Sequence, residues 1–229
     1  MPSCCRSGST FSESVVVPVP ADVLWATVVD LPALPSIVSM VTAFEWVSRE
    51  NPAVQKGHDD KNNEEHNNNM NAYNEGLVIR IGDRFREVRT HNGKDIVMYK
   101  TVTRLQQQGD NDGERHLSFG LGMKQDGKNF SKVENTSTLI VQPISDKNDN
   151  DNPTSNDSSS SVLILMVAFT WNAWIDHVIH NLLCFFCLNA MVRRNMRTEV
   201  EEYRLAAMQR YAQQLETAES LSENEKATL

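Results

Sequence analysis

The stretch Val162-Leu-Ile-Leu-Met-Val-Ala-Phe-Thr-Trp171 decides the fold of this chain, because it is an almost uninterrupted apolar run that directly precedes a long helical pattern. Its β-branched and aromatic residues predict a strand, and the lack of polar alternation predicts that this strand is buried on both faces. A strand of this kind needs neighbouring strands, so the remainder of the chain must supply a sheet.

The helical pattern that follows has apolar residues at steps of three or four, which is the period of one helix face. Before Met191 the opposite positions are also apolar, whereas after it they are mostly charged. We therefore predict a helix that is deeply covered at its start and solvated on its outer face later. The stripe consists of Val178, Leu182, Phe185, Asn189, Val192, Met196, Val200, Tyr203, Ala207 and Tyr211.

Upstream, alternation of apolar and polar residues from Phe11 to Val19 predicts a first strand, which places Phe11, Val15 and Val17 on one face. Two short helices follow, and the strands after them are joined by polar turns such as His91-Asn-Gly-Lys94. Such turns predict sequential antiparallel pairing. The predicted fold class is α+β: a curved seven-stranded antiparallel sheet wrapped around the long C-terminal helix. The expected helices are 21–29 and 33–39, and the further strands are 41–49, 76–90, 95–105, 115–123, 129–144 and 162–171.

Composition divides the chain of 229 residues into one domain and polar segments. Polar tracts rich in Asn, Asp and Ser predict disordered inserts at about 50–75 and 145–160, and they carry most of the net charge of −8. We assign residues 11–215 to a single domain, 1–10 to a disordered tail and 216–229 to a polar tail.

Several classes of protein are disfavoured. No basic stripe is present, which argues against nucleic-acid binding. The run from Val162 to Ile175 is shorter than the about 20 residues that span a bilayer, and the N-terminus lacks the apolar core of a signal peptide. The cysteine pattern fits a reducing compartment, so we expect a cytoplasmic protein. Acylation of Cys4 or Cys5, with weak contact to a membrane surface, is an alternative.

Three segments resemble the START-like helix-grip superfamily, which includes birch-pollen-allergen-type proteins and the polyketide cyclase/dehydrase family. Pro18-Val-Pro-Ala-Asp-Val-Leu-Trp-Ala-Thr-Val-Val-Asp-Leu-Pro-Ala-Leu-Pro35 resembles the passage from first strand to helices. Gly82-Asp-Arg-Phe-Arg-Glu-Val-Arg89 resembles the third strand, and Glu134-Asn-Thr-Ser-Thr-Leu139 resembles the start of the sixth, although the usual Gly-Thr is Asn135-Thr136.

The resemblance implies an apolar cavity between the sheet and the C-terminal helix. Our first hypothesis is therefore the binding or transport of a hydrophobic small molecule or lipid, without catalysis and without a cofactor. The alternative is a cyclase- or dehydratase-like enzyme. The candidate ligand-binding residues are Trp25, Phe85, Glu87, Tyr99, Phe119, Phe169, Trp171 and Phe185.

Glu87 and Tyr99 are the candidates for proton transfer. Strand parity places Glu87 beside Phe85 on the apolar face, where burial would raise the pKa of its carboxyl. The favoured interpretation is instead an ion pair with Arg89 or with a residue of a neighbouring strand. Parity with Val97 and Leu105 also places Tyr99 inward, and a core role with a satisfied hydroxyl is favoured there.

His180, Cys184 and Cys187 share one helix face and could begin a zinc site. No fourth ligand is evident in the sequence, and buried cysteines usually behave as small apolar residues. We therefore predict no metal.

Overall fold

The structure is a computed structural model that describes residues 7–49, 79–91, 93–107, 113–122, 133–144, 160–171 and 185–227. One antiparallel sheet contains seven strands in the order β1-β7-β6-β5-β4-β3-β2. The strands are β1 (Ser7–Val17), β2 (Val41–Ser48), β3 (Arg84–His91), β4 (Lys94–Gln106), β5 (Arg115–Gly122), β6 (Val133–Pro143) and β7 (Ser161–Trp171). The helices are α1 (Ala21–Val28), a 3-10 turn (Leu31–Ala33), α2 (Leu34–Ile37) and α3 (Phe185–Ala227). The predicted helix-grip architecture is confirmed.

The apolar run forms β7, which lies between β1 and β6. Its predicted burial on both faces is wrong. Leu163 and Leu165 are 0% and 2% exposed, whereas Ile164 and Met166 on the other face are only half-buried. The helices α1 and α3 pack against β7. Their contact with the face of Leu163 and Leu165 accounts for the difference.

The apolar stripe of α3 holds this helix against the rest of the molecule. Met196, Val200, Tyr203 and Ala207 are 4% exposed or less, as their spacing predicts. The helix packs chiefly on β1 and α1, and less extensively on β7. Since surface ion pairs on a helix contribute only about 0.3–0.5 kcal/mol each, this packing dominates its stability.

A turn precedes β3, where the sequence pattern predicted a continuous strand from Gly76. Residues 76–78 lie outside the described residues, and β3 begins only at Arg84. The N–H of Asp83 donates to the Arg80 carbonyl at 3.1 Å, and the Asp83 carboxylate accepts from the Arg80 N–H at 2.9 Å. Gly82 permits this turn because its φ is +95°, a value that other residues rarely adopt.

The segment boundaries differ from those expected at both ends. β1 begins at Ser7 because residues 7–10 pair with residues 168–171 of β7. At the other end, α3 continues to Ala227, through most of the expected polar tail, and no glycine or proline interrupts it there. The insert at 50–75 lies outside the described residues, as do Cys4, Cys5 and all but the last residue of the insert at 145–160.

Candidate functional site

A cavity of about 310 Å³ lies between the sheet and the first part of α3. Six of its lining side chains are apolar, and six are polar or charged. The apolar ones are Met98, Leu121, Leu165, Val167, Val192 and Met196. The others are Arg89, Lys100, Asn135, Ser137, Asn195 and Glu199, with Gly122 at the end of β5. Small-molecule sites combine apolar side chains, which bury the ligand, with polar groups that fix its orientation.

Strand register places Lys100 and Asn135 at the same level of the sheet. Lys100 on β4 lies opposite Leu121 on β5, and Leu121 lies opposite Asn135 on β6. Residues directly opposite one another point to the same face of a sheet. The cavity wall at this level therefore has Lys100 at one end, Asn135 at the other and Leu121 between them.

Glu87 forms a buried ion pair beside the cavity. It is 0% exposed, and its Oε1 accepts hydrogen bonds from Arg89 Nε at 2.7 Å and from Lys100 Nζ at 2.8 Å. Lys100 reaches it diagonally, because the residue directly opposite Glu87 is Met98. The favoured interpretation of Glu87, a partner in an ion pair, agrees with this geometry.

Arg89 connects the sheet to α3. Its guanidinium donates to both carboxylate oxygens of Glu199, at 2.8 and 3.1 Å, in addition to its bond with Glu87. Two parallel charge-assisted hydrogen bonds fix both the distance and the orientation of the groups. The position of α3 above the cavity is therefore linked to β3 through one side chain.

Burial and neighbouring charges act in opposite directions on these groups. Burial by itself would raise the pKa of Glu87, but the charges of Lys100 and Arg89 outweigh it and hold this pKa below its ordinary value. The expectation of a raised pKa is therefore wrong, because it did not include Lys100. Burial lowers the pKa of Lys100, with Glu87 opposing this effect and Arg89 adding to it.

Tyr203 lies on α3 near the same charges. Burial raises the pKa of its hydroxyl, and the negative charge of Glu199 raises it further. The hydroxyl therefore stays protonated around neutral pH.

Three of the predicted ligand-binding residues lie in the core. Trp25, Phe85 and Phe119 are 7%, 0% and 3% exposed, and none of them is among the residues that line the cavity. Phe85 and Phe119 are in edge-to-face contact at 5.5 Å, and Lys100 Nζ lies 5.4 Å from the centre of the Phe119 ring. Direct ligand binding by Trp25, Phe85 and Phe119 stays a prediction.

The structure corrects the face assigned to Tyr99. Met98 and Lys100 line the cavity, so the alternation of β4 directs Tyr99 to the opposite face, where it is half-buried. The strand register shifts between Val102 and Arg104. Alternation counted from Leu105 across this irregularity therefore assigns Tyr99 to the wrong face. Glu87 and Tyr99 therefore do not face one site.

The three remaining candidates are described only in their backbone. Phe169 and Trp171 belong to β7, and Phe185 is the first residue of α3, but their side chains lie outside the described part of the chain. Their role as ligand-binding residues stays a prediction.

Lys100, Asn135 and Glu199 were not among the predicted site residues. The sequence does contain a signal for Lys100. A lysine in the strand that follows the one carrying Glu87 is a candidate partner for that buried carboxylate. No comparable signal marked Glu199, which the sequence pattern placed on the solvated face of the helix.

The described ranges contain no group of three or more residues suited to hold a metal ion. His180, Cys184 and the side chain of Cys187 lie outside those ranges. No helix in the described part of the protein combines the length and the apolar character needed to cross a membrane.

Comparisons with known proteins give matches at the level of structure alone. No protein-family model matches the sequence, and no curated protein matches it. The Zhui aromatase/cyclase from Streptomyces sp. R1128 superposes with a TM-score of 0.51 at 13% identity, covering 90% of this chain and 96% of that one. The di-domain aromatase/cyclase StfQ of the steffimycin pathway superposes with a TM-score of 0.54 at 10% identity, covering 90% of this chain and 52% of that one.

The hypothetical protein jhp0584 from Helicobacter pylori gives a TM-score of 0.51 at 8% identity, covering 87% and 88% of the two chains. These likenesses agree with the strand order, the two short helices after β1 and the long C-terminal helix. The chain therefore has a helix-grip fold.

Proposed function

We propose that this protein binds one hydrophobic small molecule or lipid in the cavity between the sheet and α3, without catalysing a reaction on it. The observation that carries the proposal is the cavity itself. It has about 310 Å³ of space, and six of its lining side chains are apolar. Since pockets of roughly 300–1,000 Å³ accommodate small ligands, this one suits a single ring system or a single acyl chain.

The position of the charges favours binding over proton transfer. Lys100 and Arg89 hold the Glu87 carboxyl ionised, and its bonded oxygen serves both cations. A general acid or base works best with a pKa near the operating pH, whereas this carboxyl is shifted away from it. Tyr99, the second candidate of the enzymatic hypothesis, faces the other side of β4. The geometry therefore supports the cyclase-like alternative less well.

The experiment places a bulky side chain in the cavity. Val167 lines it from β7, and Val167→Trp would fill much of the space available to a ligand. Val16→Trp is the matched control, because Val16 lies on the adjacent strand β1 and is 58% exposed. Binding of 2-naphthol, an apolar two-ring probe, would be measured by isothermal titration calorimetry, with circular dichroism to verify folding.

We expect wild type and Val16→Trp to bind one equivalent of 2-naphthol, and folded Val167→Trp to bind at least tenfold more weakly. Native mass spectrometry of freshly purified protein should also show a copurified small molecule that Val167→Trp lacks. Equal binding by the two tryptophan variants, or no binding by wild type, would contradict the proposal.

A further inference from the structure

The polar groups of the cavity wall bear on the chemical class of the ligand. Lys100 and Asn135 are separated by one strand, with Leu121 opposite both. Because adjacent strands lie about 4.8 Å apart, their backbones are roughly 10 Å from each other. Both side chains line the same cavity. A ligand that covers Leu121 therefore passes between a cationic donor and an amide.

The two groups have hydrogen-bonding capacity that the described part of the chain leaves unused. Asn135 Oδ1 is buried and accepts no hydrogen bond from the described residues. Lys100 has three N–H donors, and within the described residues its ammonium bonds to Glu87 Oε1 at 2.8 Å. A buried polar atom without a partner is costly, so a ligand atom that donates to Asn135 would be bound strongly.

The charges around the cavity already cancel. Glu87 and Glu199 supply two negative charges, and Arg89 and Lys100 supply two positive ones, all within one connected set of ion pairs. An ionised ligand would add a charge without a partner to this partly buried cavity, which is unfavourable. An uncharged ligand would not disturb the balance.

We propose that the ligand is an uncharged amphipathic molecule whose apolar body covers Leu121 and whose hydroxyl donates to Asn135 Oδ1. A hydroxyl is the simplest neutral group that supplies the O–H donor an amide oxygen requires. This inference rests on the proposed function, since it concerns the same cavity. It separates hydroxylated rings and alcohols from free fatty acids, amines and purely apolar molecules.

The experiment compares four probes that share one ring system. They are 2-naphthol, 2-methoxynaphthalene, 2-naphthoate and 2-naphthylmethylammonium, titrated at pH 7 by isothermal titration calorimetry. The methoxy compound retains the acceptor oxygen and lacks the donor, while the last two compounds carry opposite charges. We expect the Kd of 2-naphthol to be at least tenfold lower than those of the other three.

Asn135→Leu tests the donor contact directly. We expect it to weaken 2-naphthol about tenfold and to change 2-methoxynaphthalene less than threefold, because only the hydroxyl donates. Thr136→Val is the matched control, since Thr136 is the next residue of β6 and is exposed. Removing an amide oxygen without a partner should also leave the urea midpoint of the ligand-free protein unchanged or raised, so the variant is expected to fold.

Tighter binding of either charged probe would overturn the inference, as would an unchanged Kd for 2-naphthol in Asn135→Leu. If all four probes bind equally and all lose affinity in Val167→Trp, the cavity binds ligands but the hydroxyl assignment is wrong. If none of the probes binds wild type, both the proposed function and this inference are wrong.

Discussion

The burial of Glu87 follows from the sequence, whereas its ionisation depends on the tertiary structure. Alternation in β3 places it on the buried face, and it is 0% exposed. The same alternation gives no information about its charge. Lys100 comes from the next strand and supplies the second cation, which keeps the carboxylate ionised where burial alone would neutralise it.

Replacing Glu87 by Gln should destabilise the protein by about 3 kcal/mol or more, because Lys100 and Arg89 would keep their buried charges with one carboxylate fewer. Urea unfolding at pH 7 measures this loss. Glu45→Gln is the matched control, since Glu45 also pairs with an arginine of β3, Arg86, but its side chain is 67% exposed. The control should lose less than about 1 kcal/mol. Equal losses in the two variants would contradict the assigned importance of burial.

The stability difference between wild type and Glu87→Gln should depend on pH. The folded-state pKa of Glu87 lies below its ordinary value of 4.5, so folding favours the ionised carboxylate. The resulting stability is fully present above pH 4.5 and is lost as the pH falls through the folded-state pKa. The difference in urea midpoint between wild type and Glu87→Gln should therefore narrow as the pH falls below 4.5. A difference that widened on acidification would refute the ionised assignment.

Among the elements, α3 is the one whose pattern the sequence describes best. Met196, Val200, Tyr203 and Ala207 recur at steps of four, three and four, and all are buried. Glu199 departs from this pattern, because it is 8% exposed although it lies next to the stripe among charged residues. Its burial depends on Arg89 from β3, a partner that the helical period cannot reveal.

Truncation of the stripe should loosen α3. Tyr203→Ala removes a side chain that is 1% exposed, and the loss of a buried aromatic residue costs about 3–5 kcal/mol. Leu205→Ala is the control on the same helix, because Leu205 is 60% exposed and should lose less than about 0.5 kcal/mol. Chemical denaturation measures both. A loss at Leu205 comparable with that at Tyr203 would mean that the buried face is assigned incorrectly.

The strands illustrate why an element can be located correctly and its environment misjudged. β7 was predicted nearly to the residue, but its outer face is only half-buried, since local composition does not specify how many layers cover a strand. In β4, the register shift between Val102 and Arg104 changes the face of every residue before it. Tyr99 was misplaced for that reason, and Lys100 was overlooked.

At the scale of the whole molecule, ligand binding should be linked to folding. A ligand that binds only the folded protein raises the free energy of unfolding by about 2.7 kcal/mol when its free concentration is 100 times its Kd. Addition of 2-naphthol at that ratio should raise the urea midpoint of wild type and of Val16→Trp. The midpoint of Val167→Trp should not change, and a similar increase there would place the probe outside the cavity.

The strand and helix pattern, the order of the elements and the inward face of Glu87 all follow from the sequence by itself, because each depends on a period of two or about 3.6 within one segment. Only the tertiary structure decided that Lys100 and Asn135 face each other across Leu121 and that Glu199 meets Arg89 beside them. These five residues lie on five different elements, and their convergence depends on strand register, on one irregularity in β4 and on the rotation of α3 about its axis. Packing of the whole chain fixes all three, whereas no local pattern specifies them.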